Sequence, residues 1–260
     1  MAKYIAHASI DERGKIAGGK AGDSTKKEVC IRTWYNKPWN YLLRIKDENV
    51  RIQFANNMID LANNNNIGYD QNQRNTLLTQ AKKVNFDFSK IATKCECDCS
   101  SAVTACILGA IYKEKGKDAY NKAYEVMFAG SNCATTSTLR TRLKKLEMIT
   151  VYSDKSYVGS IVKALFGDIY VKEGSHVVAY INDGKKVEIN KVSYYKKYTG
   201  ESYGIDTVFA AIGVPEIYRG NYKNRRPVAK ANGLGSNYTG SANDNLKLIS
   251  LAKQGKLKKP

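Results

Sequence analysis

The segment Cys95-Glu96-Cys97-Asp98-Cys99-Ser100-Ser101 leads directly into an apolar run with helical spacing. The polar residues Asp98, Ser100 and Ser101 are of the types that cap the first turn of a helix. Apolar residues then recur every three or four positions, which predicts a buried helix that begins near Cys99. These apolar residues are Val103, Cys106, Ile107, Ala110 and Ile111.

A cysteine in the first turn of such a helix is a candidate nucleophile. Unpaired backbone N–H groups and the positive end of the helix dipole favour the thiolate over the thiol. A thiol nucleophile also needs a base, and the chain contains two histidines, His7 and His176. Nothing periodic places His7 near Cys99, so His176 is the expected base.

The composition predicts a globular protein with a basic surface. Of its 260 residues 43% are hydrophobic, and no window of about 18 residues is apolar enough to cross a membrane. The N-terminus lacks the apolar region of a secretory signal, so we expect a protein that stays in the cytoplasm unless another system exports it. The formal net charge of +18 favours a polyanionic partner, such as nucleic acid, anionic lipid or bacterial wall polymers.

The six cysteines raise the alternative of a metal site. Cys95, Cys97 and Cys99, with Cys106 or a histidine, could hold zinc in a basic nucleic-acid-binding protein. Zinc sites usually have Cys pairs separated by a loop, and a Cys-x-Cys-x-Cys run that enters a buried helix fits that pattern poorly. A disulfide framework is not expected either, because cysteines this close cannot all pair and no secretory signal is present. We therefore expect neither a metal nor a cofactor.

The order of the predicted elements indicates an α+β fold, with helices packed against an antiparallel sheet. Besides the helix at Cys99, helices are expected over residues 47–64, 72–83, 119–127 and 138–146. Strands are expected over residues 29–35, 148–152, 168–171, 175–181, 185–190 and 207–213. Trp34 and Trp39 are interpreted either as core aromatics or as a stacking surface for sugar rings or peptide.

Composition also predicts the domain boundaries. We expect one catalytic domain over residues 1–220 and a basic linker rich in Gly, Ser and Asn over residues 221–245. A short C-terminal tail follows over residues 246–260, with one amphipathic helix. The Gly-rich residues 8–23 predict turns and loop, as a lid or groove wall.

The segment 175–190 has the pattern of a hairpin that carries His176. Asn182-Asp183-Gly184 predicts the turn, and a three-residue loop would place Glu188 and Asn190 on the same face of the sheet as His176. A polar partner there could fix the tautomer of the imidazole. A two-residue loop would shift the register by one residue and send both polar residues to the other face.

Three segments in this order resemble the NlpC/P60 and CHAP families of papain-like cell-wall hydrolases. They are Asp98-Cys99-Ser100-Ser101 at a helix start, Gly167-Asp168-Ile169-Tyr170, and the strand that runs from His176 to the Asn182-Asp183-Gly184 turn. The resemblance covers residues 95–190. Residues 7–44 are more loosely similar to the opening of phage endolysins of this type from Gram-positive hosts.

The resemblance implies a papain-like NlpC/P60 fold with the nucleophile at the N-terminus of the central helix. It implies that Cys99 is the nucleophile, that His176 is the base, and that a polar residue on the neighbouring strand orients His176. The NlpC/P60 spacing places this third residue at Glu188, where the family more often has histidine, so Asn190 stays an alternative. No role follows for Cys95 and Cys97.

The resemblance also implies a function. We expect a phage endolysin-like peptidoglycan hydrolase that cleaves an amide through an acyl-enzyme, an endopeptidase rather than an N-acetylmuramoyl-L-alanine amidase. Its partners would be peptidoglycan and anionic wall polymers, without nucleic acid or membrane insertion, and the protein would be a monomer released from the host cytoplasm at lysis. The alternatives are the zinc-binding nucleic-acid-binding protein and a papain-fold transglutaminase or deamidase.

Overall fold

Helices and an antiparallel sheet make up the first part of the chain, which confirms the predicted α+β class. The structure is a computed structural model that describes residues 2–129, 132–189 and 193–260. The chain divides into a first unit that ends at Ile189 and a second unit that follows it. Among the described residues, no helix is long and apolar enough to cross a membrane.

The first unit contains a six-stranded sheet. Its strands are β1 (Tyr4–Ala8), β2 (Val29–Thr33), β3 (Tyr41–Ile45), β6 (Ile149–Tyr152), β7 (Ile169–Lys172) and β8 (His176–Tyr180). Their order is β2-β1-β8-β7-β3-β6, and each neighbouring pair is antiparallel. Two further strands, β4 (Ile67–Tyr69) and β5 (Cys95–Cys97), form a separate parallel pair.

The helices of the first unit lie close to their predicted positions. They are α1 (Glu48–Ala62), α2 (Thr76–Lys83), α3 (Cys99–Lys115), α4 (Lys117–Met127), α5 (Leu139–Lys145) and the short α6 (Lys155–Val158). The α3 helix is buried from Cys99 to Ile111 and packs against α1, β1 and β8. It is therefore the central helix that the sequence predicts.

The two faces of the sheet have different partners because successive strand residues point to opposite sides. Residues on the first face belong to the same core cluster as the helices: Ala6, Leu43, Val171, Val177 and Ala179. Residues on the second face form a smaller cluster with Trp39: Ile5, Leu42, Tyr170, Val178 and Tyr180. Ile5 lies two residues before His7 in β1, and Val178 lies two residues after His176 in β8. Because Ile5 and Val178 belong to the second cluster, both histidines lie on the second face.

The Gly-rich segment before β2 is a loop, as expected, and buried carboxylates fix its position. The backbone N–H of Gly18 donates to Asp70 Oδ2 at 2.7 Å, and that of Gly22 donates to Glu96 Oε1 at 2.7 Å. Glu96 lies on β5 between two cysteines that point into the core. Cys95 and Cys97 thus serve as small core residues, while the residue between them holds the loop.

The predicted strand over residues 185–190 is wrong for residues 185–189, which have no strand structure, and Asn190 lies outside the described residues. Both edges of β8 are already occupied, by β1 and by β7, so no returning strand can pair there. The segment instead crosses α1, where Asn56 accepts from the Val187 N–H at 2.9 Å and donates to the Val187 carbonyl at 2.7 Å.

Gly167 and Asp168, which belong to the second segment of the resemblance, both have structural roles. Asp168 is fully buried and accepts two hydrogen bonds from Arg44, at 2.8 and 2.7 Å, which join the start of β7 to β3. Gly167 has a φ of +88°, and a Cβ there would lie 2.4 Å from the carbonyl oxygen of Arg51. Only glycine therefore fits this junction between the sheet and α1.

The second unit differs from the predicted linker and tail. It contains α7 (Ile205–Ala211), α8 (Tyr222–Ala231) and α9 (Ala242–Lys253) around a core of its own that includes Phe209, Tyr238 and Leu248. The strand predicted over residues 207–213 is wrong because α7 occupies this segment. Tyr238 lies inside the expected linker, yet it is buried and accepts a hydrogen bond from Arg225 at 3.0 Å.

The close approach at Gly167 predicts a large loss of stability in Gly167→Ala. Gly14 is the matched control, because it also has a positive φ, of +73°, but nothing lies within 4 Å of its Cβ position. We expect Gly14→Ala to lower the free energy of unfolding by about 1 kcal/mol and Gly167→Ala by about 3 kcal/mol or more. Urea unfolding followed by tryptophan fluorescence measures this in the first unit, which contains both tryptophans. Equal losses in the two variants would contradict the close contact.

Candidate active site

The first turn of α3 is held by a reciprocal cap. The Asp98 side chain accepts from the Ser101 N–H at 2.7 Å, and the Ser101 hydroxyl accepts from the Asp98 N–H at 2.8 Å. This capping box satisfies donors that the helix itself leaves unpaired. It confirms the helix start predicted from the sequence and fixes the backbone on both sides of Cys99.

Arg74 attaches this cap to the rest of the first unit. Its Nε donates to Asp98 Oδ2 at 2.6 Å, and its Nη2 donates to the Ser100 hydroxyl at 2.8 Å and to the Ala134 carbonyl at 2.9 Å. The guanidinium is mostly buried together with the carboxylate that it binds. Cys99 therefore projects from a rigid turn that is anchored on two sides.

The free enzyme holds Cys99 as a thiol rather than the expected thiolate. Burial raises the pKa of this thiol to about 12, and the neighbouring Asp98 carboxylate acts in the same direction. The N–H of Val177 in β8 opposes this by lowering the pKa, and so does the N–H of Ser100, as predicted for a helix start, but burial has the larger effect. A nucleophilic role for Cys99 would therefore require a base that removes its proton.

Cys99 lies where two strands of the sheet part. The pairing of β1 with β8 covers Ile5–Tyr180 and Ala6–Ala179, whereas β1 pairs with β2 as far as Ala8. Beyond these contacts the Val177 N–H is directed at the Cys99 sulfur instead of at β1. The Cys99 sulfur thus lies beside the residue that follows His176 in β8, and none of the hydrogen bonds among the described residues joins it to either histidine.

His176 and His7 contact each other on that face. His176 Nε2 lies 2.8 Å from His7 Nδ1, and His7 Nε2 lies 3.6 Å from Cys30 Sγ. A proton on His176 Nε2 donates to His7 Nδ1, and this leaves His176 Nδ1 with a free lone pair. The same arrangement places the proton of His7 on Nε2, from which it points at Cys30. The reverse assignment, in which His7 Nδ1 donates to His176 Nε2 and the Cys30 thiol donates to His7 Nε2, fits the same two distances.

Both imidazoles are neutral in the free protein. Burial, followed by the charges of Lys37 and Arg32, lowers the pKa of His176 to about 4. Burial, followed by the charges of His176, Arg32 and Lys37, lowers the pKa of His7 to about 3. The Trp39 ring stacks near His176 at a centroid distance of 6.4 Å, which accounts for part of the burial. Trp39 is itself buried, so it is a core aromatic, as one of the two interpretations has it.

Glu188, with Asn190 as the alternative, was the residue expected to orient His176. Glu188 is exposed on the segment that crosses α1, and none of the hydrogen bonds among the described residues joins it to His176. Asn190 lies outside the described residues. The atom that contacts His176 belongs to His7, from the opposite end of the sequence.

The cysteines do not form a metal centre in the described residues, where no three His, Cys, Asp or Glu side chains are placed to hold a metal ion. The six cysteines, all of them described, are free thiols. Cys106 is buried in the middle of α3, and burial raises the pKa of its thiol well above the usual range.

A comparison with protein families matches residues 5–187 to the endolysin-like domain. The chain belongs to this family. Searches of curated proteins and of solved structures gave no match. The family implies a cell-wall lytic function and a peptidoglycan substrate, and the match covers the first unit almost completely.

His7 is a residue that sequence reasoning did not place beside His176. It lies next to His176 because β1 inserts beside β8, a pairing between residues more than 170 positions apart in sequence, such as Ile5 and Tyr180. The signal that could have indicated this is the short, mostly apolar stretch Tyr4–Ala8, which has the length of a strand buried on both faces.

The Arg74–Asp98 pair predicts that the cap of α3 depends on Arg74. We expect Arg74→Met to lower the free energy of unfolding by about 3 kcal/mol, because it leaves a mostly buried carboxylate without its partner. The control is Lys90→Met, which breaks an exposed ion pair with Asp87 and should change stability by less than about 0.5 kcal/mol. Urea unfolding followed by tryptophan fluorescence compares the two. A cost for Arg74→Met no larger than that of the control would show that the pair does not hold the cap.

Proposed function

We propose that the protein is a peptidoglycan hydrolase with a papain-like arrangement in which Cys99 is the nucleophile, His176 the base and His7 the residue that orients His176. The observation that carries this proposal is the 2.8 Å contact between His176 Nε2 and His7 Nδ1. It supplies the polar third residue that the resemblance requires, and it does so with a histidine, the type more often found in NlpC/P60 enzymes. Glu188 is not needed for this role.

The chemistry follows from the tautomer of His176. His176 Nδ1 takes the proton of the Cys99 thiol as the sulfur attacks an amide carbonyl of the substrate. The imidazolium that forms keeps its Nε2–H donated to His7 Nδ1, which stabilises the charge. His176 then gives a proton to the leaving amine, and water hydrolyses the acyl group on Cys99.

The start of α3 supplies a donor for the developing oxyanion. The first N–H groups of a helix have no partner inside it, and here the capping box occupies that of Ser101. The N–H of Cys99 itself lies beside the sulfur that attacks, where backbone donors stabilise the tetrahedral oxygen in acyl transfer.

The bond proposed to be cleaved lies in the stem peptide, so the reaction is that of an endopeptidase rather than of an amidase that releases the lactyl group. The enzyme would act on the wall after release from the host cytoplasm at lysis. Residues 193–260 carry 12 lysines and arginines against 4 aspartates and glutamates. This charge supports an attraction to anionic wall polymers.

Digestion of purified Gram-positive sacculi tests the proposed activity. We expect the wild-type protein to release new amine termini from stem peptides, identified by mass spectrometry, and Cys99→Ser to release none. Cys106→Ala is the control, because it removes another buried thiol of the same helix and should keep most of the activity. A freed lactyl group would instead identify an amidase, and full activity in Cys99→Ser would exclude the cysteine mechanism.

A second pair of variants tests whether His7 or Glu188 is the residue that orients His176. His7→Ala leaves His176 without its partner, so we expect kcat/KM to fall about 100-fold or more. Glu188→Gln should change kcat/KM by less than about twofold, because the Glu188 side chain is exposed. Circular dichroism and thermal unfolding confirm that each variant is folded. The reverse ranking of the two variants would restore Glu188 as the third residue.

A further inference from the structure

Arg32 lies on the face of the sheet that carries the histidine pair, and Lys37 follows it along the chain. The register of β1 and β2 places Arg32 opposite Ile5 and Cys30 opposite His7, so Arg32 lies on the same face of the sheet as both histidines. Lys37 follows on the segment that leads to Trp39, and its charge acts on both imidazoles.

The position of Arg32 is defined by an aromatic ring. Its guanidinium lies over the ring of Tyr35, 4.9 Å from the centroid, and the edge of that ring faces His7 at a centroid distance of 6.5 Å. Arg32 is exposed and Lys37 is half-buried. Within the described part of the chain, neither forms an ion pair with a carboxylate, whereas Arg44, Arg51, Arg74 and Arg140 all do.

This placement has a cost for the reaction. The proposed mechanism charges His176 positively, and a cation nearby disfavours a second positive charge. Cys30 and Tyr35, which contact His7, are not anionic in the free protein, because burial raises the pKa of each. An anionic group of the substrate beside the two cations would offset their effect on His176.

We propose that Arg32 and Lys37 form a subsite that binds a free carboxylate of the substrate beside the amide to be cleaved. This inference rests on the proposed function and specifies its substrate: a stem peptide that keeps a carboxylate next to the scissile bond, rather than one in which that group is a carboxamide. The carboxylate neutralises both cations as it binds, so His176 becomes a stronger base in the complex than in the free enzyme. Arginine suits the role because its planar guanidinium binds a carboxylate through two hydrogen bonds.

Sacculi with blocked carboxylates test this subsite. Sacculi are first stripped of phosphate polymers, so that general attraction to wall polyanions is removed, and half of them are then converted to carboxamides with a carbodiimide and ammonia. We expect the wild-type protein to release peptide termini from the untreated sacculi about tenfold faster or more, because a charge-assisted contact is lost in the amidated ones.

The variant Arg32→Gln/Lys37→Gln should digest both kinds of sacculi at similar rates. Its control, Lys122→Gln/Lys144→Gln, removes two exposed cations of α4 and α5 and should keep the wild-type preference. The pH profile gives a second readout: removal of the cations should raise the pKa of the base seen in kcat/KM, because two like charges no longer oppose its protonation.

Each outcome decides the inference. If the wild-type protein digests both kinds of sacculi equally, or if the Arg32/Lys37 variant keeps the preference and the pH profile of the wild type, the subsite does not exist although the hydrolase does. If the wild-type protein digests neither kind, the proposed function itself fails.

Discussion

The hydrogen bond between His176 and His7 is the interaction on which the rest of the site depends. It forms because β1 and β8 pair over two residues and then part, so that the strands hold both rings on one face while leaving an opening for the start of α3. In the proposed mechanism the proton of this bond lies on His176 Nε2, so that Nδ1 is the nitrogen that accepts a proton from Cys99.

Stability and chemistry place opposite demands on this region. Burial of Cys99, His7 and His176 makes the neutral form of each the stable one. The protein thus holds no thiolate in the free state, and in the proposed mechanism the proton of Cys99 moves to His176 only as the sulfur attacks the carbonyl. The rigid surroundings supply the geometry instead: the cap at Asp98, the Arg74 anchor and the Arg44–Asp168 pair at the base of β7.

Local signals made much of the fold predictable from the sequence. Asp98 was expected to cap α3 and does so, and Asp47 caps α1 at the start of the helix expected over residues 47–64. Long-range pairing was not predictable in the same way: the place of β1 beside β8 depends on contacts across most of the first unit, and it both brings His7 into the site and prevents residues 185–189 from forming a strand. Residues 207–213 show the limit of apolar patterning, since a short apolar run suits a helix and a strand equally well.

Nitrogen-15 NMR of the two histidines is the most direct test of the proposed tautomer. The sequence contains no other histidine, and a His7→Gln variant assigns both signals. At pH 6 we expect two neutral rings, with the proton of His176 on Nε2 and none on Nδ1. Because burial lowers the pKa values to about 4 for His176 and about 3 for His7, neither ring should gain a proton as the pH is lowered from 8 to about 5. A proton on Nδ1 of His176, or a ring that titrates near the usual value for histidine, would contradict the site described for this protein.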